Sequence, residues 1–291
     1  MNETLETVDG RPTLRVERRF DHPPTKVWRA VTEPDHLARW FPFTVRLEPA
    51  NGGTIRFYPP DRPDVPASEG TVTAYEPPRL FAFTWGDDLL RFELHPAGTG
   101  CLLVFTHTFD DRAGAASFAA GWRVCLDALT GDLAGAPVDV PAPTAELHER
   151  YVRAFGLDEG VLEETADGWR VRFERQLTRP AEAVWTERTA GGVPRVGGPP
   201  PAAFTTGSAP AGAVTVVDPP TLVEYAWQHD GRTAGRVRWQ LVQGTGHGAR
   251  LVVSQTGPAD LTGPRSAALA DWRAYVEDLA RPRDREPDRP A

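Results

Sequence analysis

The feature that most constrains this chain is that it contains itself twice. Phe173 to Trp185, FERQLTRPAEAVW, repeats the pattern of Val16 to Trp28, VERRFDHPPTKVW, without a gap. Glu, Arg, Pro, Val and Trp recur in register, and Leu177 answers Phe20. GAVTVVDPPTLVEYAW (Gly212–Trp227) repeats GTVTAYEPPRLFAFTW (Gly70–Trp85), and DWRAYVEDL (Asp271–Leu279) repeats GWRVCLDAL (Gly121–Leu129). Three blocks in one order mark a tandem duplication. Solenoid repeats run to roughly 20–50 residues, far shorter than this period, so each copy is expected to be a domain. A length of 291 residues agrees with two.

Within copy one, Val16 and Phe20 alternate with polar residues, as a half-buried strand does. Pro23 and Pro24 stop that strand, because proline cannot donate to the ladder. Val27, Trp28 and Val31 then share a helical face, Pro34 ends the helix, and Asp35 opens a second short one carrying Leu37, Trp40 and Phe41. Strands are predicted at Thr54–Tyr58, Glu69–Tyr75, Arg79–Trp85, Leu89–His95 and Cys101–Phe109, separated by turn chemistry such as Pro77-Pro78, Gly86-Asp87-Asp88 and Gly98-Thr99-Gly100. Leu90, Phe92 and Leu94 alternate with Arg91, Glu93 and His95, which leaves the sheet one dry face. Phe118, Trp122, Cys125, Leu126, Leu129 and Leu133 recur at three- and four-residue steps, the stripe of a long helix. The fold class read from this order is α+β: two tandem domains, each a curved antiparallel sheet wrapped around a long C-terminal helix.

The first domain is expected over residues 1–133, with residues 1–12 a loose lead-in. Residues 134–167 read as a proline-containing linker with a docking helix, Thr144 to Phe155, whose Leu147, Tyr151 and Phe155 fall on one stripe. A degenerate second domain follows at 168–280. Its second short helix is missing: Thr189–Gly212 is so rich in Gly and Pro that it reads as a loop. The charged, Pro-rich residues 281–291 read as a disordered tail.

Charge and composition narrow the function classes. The net charge is −8 and Lys26 is the only lysine, so neither nucleic acid nor an anionic membrane surface is an expected partner. No apolar run reaches the length of a membrane span, so no membrane insertion is expected. The N-terminus is acidic and lacks an apolar signal core, which implies a cytoplasmic protein. Cys101 and Cys125 read as reduced core residues, with a disulfide between them the less favoured alternative. The seven histidines (22, 36, 95, 107, 148, 229 and 247) show no metal-ligand spacing. No nucleophile elbow, P-loop or dinucleotide-binding glycine pattern occurs, so no catalytic residue, metal or cofactor is assigned. Gly244–Gly248 reads as a hairpin turn, and Asp87-Asp88 and Asp110-Asp111 as solvated loop charges.

Four blocks of copy one, PPTKVWRAVTEPDHLARWF, GTVTAYEPPRLFAFTW, LLVFTHTF and GWRVCLDAL, together resemble a bacterial SRPBCC (START-like, helix-grip) domain. The branch it most resembles is the one similar to the C-terminal domain of the activator of the heat-shock protein 90 ATPase. The likeness covers residues 14–133, and copy two resembles the same fold more weakly. It implies a cavity between sheet and long helix, often used in that family for apolar small molecules. The family carries no shared catalytic motif.

The ligand-binding candidates that follow are Trp40, Phe43, Phe57, Phe83, Trp85, Phe92, Phe105, His107, Phe118, Trp122 and Leu126. The competing reading is that these side chains simply form core. A dry cavity of about 300 Å³ would cost on the order of 7 kcal/mol at roughly 24 cal/mol per Å³, comparable to the whole stability of a domain at about 5–15 kcal/mol. A large cavity must therefore hold ligand or water, or the rings must close it. His107 reads as a hydrogen-bonded core residue, with an acid–base role as the alternative. Trp40 and Phe43 are candidates for the pocket mouth, or for packing of the second short helix.

Three functions stay open at this level. The first is binding of a small apolar ligand in the first domain. The second, implied by the resemblance, is a co-chaperone-like interaction with a heat-shock protein 90 type ATPase, although nothing here resembles the separate N-terminal domain of the eukaryotic activator. The third is a polyketide cyclase or aromatase-like enzyme. Copy two, lacking its second short helix, is expected to have lost its cavity and to cap or stabilise copy one. Copy one expressed alone is then expected to melt at a lower temperature than the whole chain, and an unchanged midpoint by calorimetry would remove that role.

Overall fold

The computed structural model describes residues 3–62, 64–136, 140–190, 192–246 and 248–281. Pro137, His247 and the tail from 282 onward lie outside the described residues. The chain divides into two compact units, residues 1–151 and 152–291. Among the described residues, no helix is long and apolar enough to cross a membrane.

The first unit is built on an antiparallel sheet of eight strands. In chain order these are β1 (Glu3–Val8), β2 (Arg11–Phe20), β3 (Thr44–Leu47), β4 (Thr54–Tyr58), β5 (Ser68–Glu76), β6 (Leu80–Trp85), β7 (Asp88–Ala97) and β8 (Gly100–Thr108). Their order across the sheet is β1-β2-β8-β7-β6-β5-β4-β3. Between β2 and β3 lie α1 (Pro24–Thr32) and α2 (Pro34–Leu37), and the sheet is followed by α3 (Ala115–Leu133) and α4 (Ala145–Ala154). Pairing of β2 with β8 brings Val16 opposite Phe105 and Leu14 opposite His107. Pairing of β7 with β8 sets Phe92 opposite Phe105, Leu90 opposite His107 and Leu94 opposite Leu103. Directly opposed residues point to the same face. One apolar face therefore runs across three strands, and the α3 residues Trp122, Leu126 and Leu129 are buried with it.

Residues 3–8 are not a loose lead-in: they form β1, hairpinned onto β2 with Glu3 opposite Val16. Asp9 and Gly10 both have positive φ, 50° and 81°, the turn geometry whose twist matches the flanking strands. The Asp-Gly pair was the signal, and the polar character of β1 concealed it. Glu3 is buried and ion-paired with Arg18 at 2.7 Å. The buried face of α4 is also shifted from the expected stripe. His148, Glu149, Tyr151 and Val152 are buried, while Leu147 and Phe155 are half-exposed. Tyr151 packs where Glu3, Arg123 and Arg18 act on it, and its hydroxyl is pushed up to about 12, first by burial and then by Glu3.

The second unit has a six-stranded sheet made of β9 (Val161–Thr165), β10 (Gly168–Gln176), β11 (Ala211–Asp218), β12 (Leu222–His229), β13 (Arg232–Gln243) and β14 (Ala249–Gly257). The order is β11-β12-β13-β14-β10-β9, the same path as β5-β6-β7-β8-β2-β1. Its helices are α5 (Ala181–Thr189) and α6 (Thr262–Ala280). Among the described residues there are no counterparts of α2, β3 and β4, and the Gly/Pro-rich segment runs in their place. That segment is anchored. Phe204, in a short 3₁₀ turn, is fully buried, with its ring 4.7 Å from that of Trp239 and 5.7 Å from that of Trp185. Tyr225 Oη donates to Phe204 O at 3.0 Å and Tyr275 Oη to Ala203 O at 2.7 Å.

The two long helices are tied to their sheets by matched ion pairs. Arg18 of β2 faces Asp127 of α3 at 3.8 Å, and Arg175 of β10 faces Glu277 of α6 at 3.5 Å. Both pairs join positions that correspond in the duplication. Because Phe204 is core rather than loop decoration, Phe204→Ala is expected to destabilise the second unit by about 3–5 kcal/mol, read as a shift in the denaturant midpoint. A change below about 0.5 kcal/mol would show the segment to be a surface loop.

Candidate functional site

The site grows from one requirement. Trp122 of α3 points into the apolar face of the sheet, and an indole N–H taken from water needs an acceptor. It donates to Nδ1 of His107 on β8 at 3.0 Å. The indole nitrogen can only donate, so Nδ1 must accept and the ring proton sits on Nε2. Nε2 lies 2.9 Å from Oδ2 of Asp88, at the start of β7. The chain Trp122–His107–Asp88 thus runs from the core to the edge of a cavity, with every donor matched to an acceptor. His107 is 3% exposed, and neither ring nitrogen is left to reach a bound molecule.

The cavity measures about 290 Å³ and is lined by Pro42, Trp85, Asp88, His107, Ser117, Phe118, Gly121, Trp122 and Cys125. The structure therefore brings together Trp85, His107, Phe118 and Trp122 from the sequence candidates. Phe57, Phe83, Phe92, Phe105 and Leu126 are fully buried in core. Their rings pack in a continuous series: Phe57 stacks on Trp85 at 4.5 Å, Phe92 meets Phe105 at 4.8 Å, and Phe105 meets Trp122 at 4.6 Å. Trp40 is also fully buried, with its Nε1 donating to Ala30 O at 2.9 Å, so it joins α1 to the segment after α2. Phe43 stands edge-on to Trp85 at 5.0 Å, half-buried. The rings of Phe41 link the two pocket tryptophans, lying 5.6 Å from Trp85 and 5.7 Å from Trp122.

Asp88 corrects the reading of Asp87-Asp88 as solvated loop charge. Its side chain is 28% exposed and bonded to His107. The alternation Asp88, Leu90, Phe92, Leu94 already placed it on the dry face, and the neighbouring Gly86-Asp87 turn hid this. Cys125 is a free thiol at the cavity, and burial pushes it up to about 12. Burial likewise raises Cys101 to about 11. Among the described residues, no group of three or more His, Cys, Asp or Glu is gathered to hold a metal.

The second unit carries the same tryptophan and a different answer. Trp272 Nε1 donates to Gln255 Oε1 at 2.7 Å, so Gln255 stands where His107 stands. Trp85 pairs with Asp88 across the β6–β7 hairpin, whereas Trp227 pairs with Gly235. The Asp88 position is thus a glycine. A Cβ on Gly235 would sit 2.0 Å from Thr256 O and 2.7 Å from Trp227 Nε1. Trp227 is fully buried and donates to Thr256 O at 2.7 Å, so its indole fills the space next to that glycine.

The buried thiols yield a test with a definite sign. Because burial raises their pKa above the ordinary thiol value of 9.0, the folded state holds these protons where the unfolded chain has released them. Their contribution to stability is present below pH 9 and is lost as pH rises above it. Native protein at pH 7.5 is expected to react with iodoacetamide at a small fraction of the rate of the urea-unfolded chain, as followed by mass spectrometry. Equal rates would place the thiols at the surface.

Comparison with known proteins then bears on this unit. Residues 21–134 match the family model described as Activator of Hsp90 ATPase homolog 1-like protein. No curated protein matches the chain. Among solved structures, CalU16 from Micromonospora echinospora is 23% identical, covering 53% of this chain and 93% of its own, with a TM-score of 0.43. The protein EF2215 from Enterococcus faecalis, described as of unknown function, is 24% identical over 52% of this chain and 89% of its own, with a TM-score of 0.44. The protein encoded by BPP1335 of Bordetella parapertussis is 31% identical over 48% of this chain and 84% of its own, with a TM-score of 0.40.

Proposed function

We propose that the first unit, whose residues 21–134 match the family model described as Activator of Hsp90 ATPase homolog 1-like protein, binds a small molecule of mainly apolar body between its sheet and α3. The observation that carries this is the cavity itself: about 290 Å³, walled by Trp85, Phe118 and Trp122, in a unit whose other aromatic rings are packed against one another. Its volume lies just below the usual range for drug-sized sites, about 300–1,000 Å³, which suits a small ligand. The few polar groups at its edge, Asp88 and Ser117, supply orientation. Phe57, Phe83, Phe92, Phe105 and Leu126 support the wall from behind. A co-chaperone or cyclase role has no comparable feature behind it, and His107 spends both ring nitrogens within the protein.

Gly121 offers a clean way to close the site. It lines the cavity, and a Cβ there meets no atom within 4 Å. A leucine would therefore fill the pocket from α3 while improving helix propensity by up to about 1 kcal/mol. Native mass spectrometry of the protein, purified gently from its host, is expected to show a retained small molecule that Gly121→Leu loses without a lower melting midpoint. An apo mass for the wild type, with no shift against a panel of lipophilic compounds, would count against the reading.

A further inference from the structure

The charge pattern of the same pocket narrows the class of ligand, an inference that rests on the binding role proposed above. We propose that the ligand is an organic cation, an alkyl- or arylammonium whose charged head sits between the Asp88 carboxylate and the aromatic faces of Trp85, Phe118 and Trp122. The argument starts from what lines the cavity. Asp88 is its one carboxylate, and no lysine or arginine lines it. His107 does not balance that charge: it accepts from Trp122 at Nδ1 and so meets Asp88 with a neutral ring N–H. Among the described residues this is the only hydrogen bond made by the Asp88 side chain, which leaves most of the acceptor capacity of a carboxylate unspent. Arg11 reaches the same hairpin but spends its guanidinium on the Asp110 carboxylate at 2.7 Å and on Asp87 O at 2.9 Å.

Three aromatic rings complete the box. Trp85 and Asp88 are directly paired residues of the hairpin, so a cation near that carboxylate also lies near the indole ring. A cation over an aromatic ring is attracted by the ring quadrupole, most where water is excluded, and a partly dry pocket strengthens its attraction to the carboxylate. A neutral ligand would gain burial alone, and an anion would meet an unbalanced negative charge. The second unit supplies an internal contrast. It keeps the tryptophan of the long helix but has Gly235 in place of Asp88 and the Trp227 indole beside it, so the anion and the space are lost together.

The test is isothermal titration of the full chain with three matched probes: phenethyltrimethylammonium, its neutral tert-butyl isostere, and phenylpropanoate. The cation is expected to bind about tenfold or more tighter than the isostere, and the carboxylate weakest. In Asp88→Asn, which keeps an acceptor for His107, the preference should fall to within about threefold while the isostere binds as before. Asp88→Gly, which places the residue of the second unit at this position, serves as the second variant should Asp88→Asn melt early. Gly121→Leu should abolish binding of both. Equal binding of cation and isostere overturns this inference and leaves the pocket reading standing. A cation preference that survives both Asp88 variants does the same, whereas cation binding undiminished in Gly121→Leu overturns the inference by placing that binding outside the pocket. Failure of all three probes to bind, each up to its solubility limit, counts against the pocket reading and takes this inference with it.

Discussion

An indole N–H buried by a helix must meet an acceptor in the sheet, and much of this molecule follows from that. Each long helix drives a tryptophan into the apolar face it grips, Trp122 in one unit and Trp272 in the other. Left unpaired, such a donor costs on the order of 1–3 kcal/mol, a large part of the stability of a domain. His107 and Gln255 both satisfy it from the same strand position. The two acceptors differ in what they pass on. A histidine that accepts at Nδ1 must donate at Nε2, which calls for Asp88. A glutamine that accepts at Oε1 keeps an amide nitrogen that meets no carboxylate: Nε2 of Gln255 is buried without a hydrogen-bond partner among the described residues, and the Asp88 position has become Gly235.

The surroundings of that position differ accordingly between the two units. In the first, the Asp88 side chain stands at the cavity and Trp85 lies half-buried at its edge. In the second, the corresponding Trp227 is buried over a glycine. Phe204 and the short turn that carries it fill core space in a unit whose sheet lacks the two outer strands. The helix-to-sheet ion pairs, Arg18 with Asp127 and Arg175 with Glu277, survive in both. The helix-to-sheet ion pair is thus present in both copies, whereas the residues beside the buried tryptophan differ.

Legibility followed the period of the pattern. Strands with clean alternation, such as Leu90, Phe92 and Leu94, and helices with a full stripe, such as Trp122 to Leu133, were readable to within a few residues. β1 was not, because Glu3, Glu6 and Thr7 gave no apolar alternation and only the Asp9-Gly10 turn announced it. On α4 the apolar residues Leu147 and Phe155 were the visible stripe, yet the buried face is built of His148, Glu149, Tyr151 and Val152. Polar side chains can be buried when charged and hydrogen-bonding groups receive them; His148 has its neighbour Glu149, while Tyr151 sits among Glu3, Arg18 and Arg123, some of them far away in sequence.

The sequence by itself determined the outline of the architecture: a duplication, the order of the strands and helices with clear periodicity in each copy, and the apolar faces of those elements. Those properties are local, set by side-chain period and by turn residues, and they add up along the chain. Only the tertiary structure decided which aromatic rings face a cavity and which are sealed in core. Trp40, Phe57 and Phe92 carry the same local signal as Trp85 and Trp122, and only the curvature of the sheet against α3 separates them. It also decided that Asp88 is part of the site. A carboxylate beside a turn looks solvated until folding brings β8 alongside and sets the His107 imidazole 2.9 Å away.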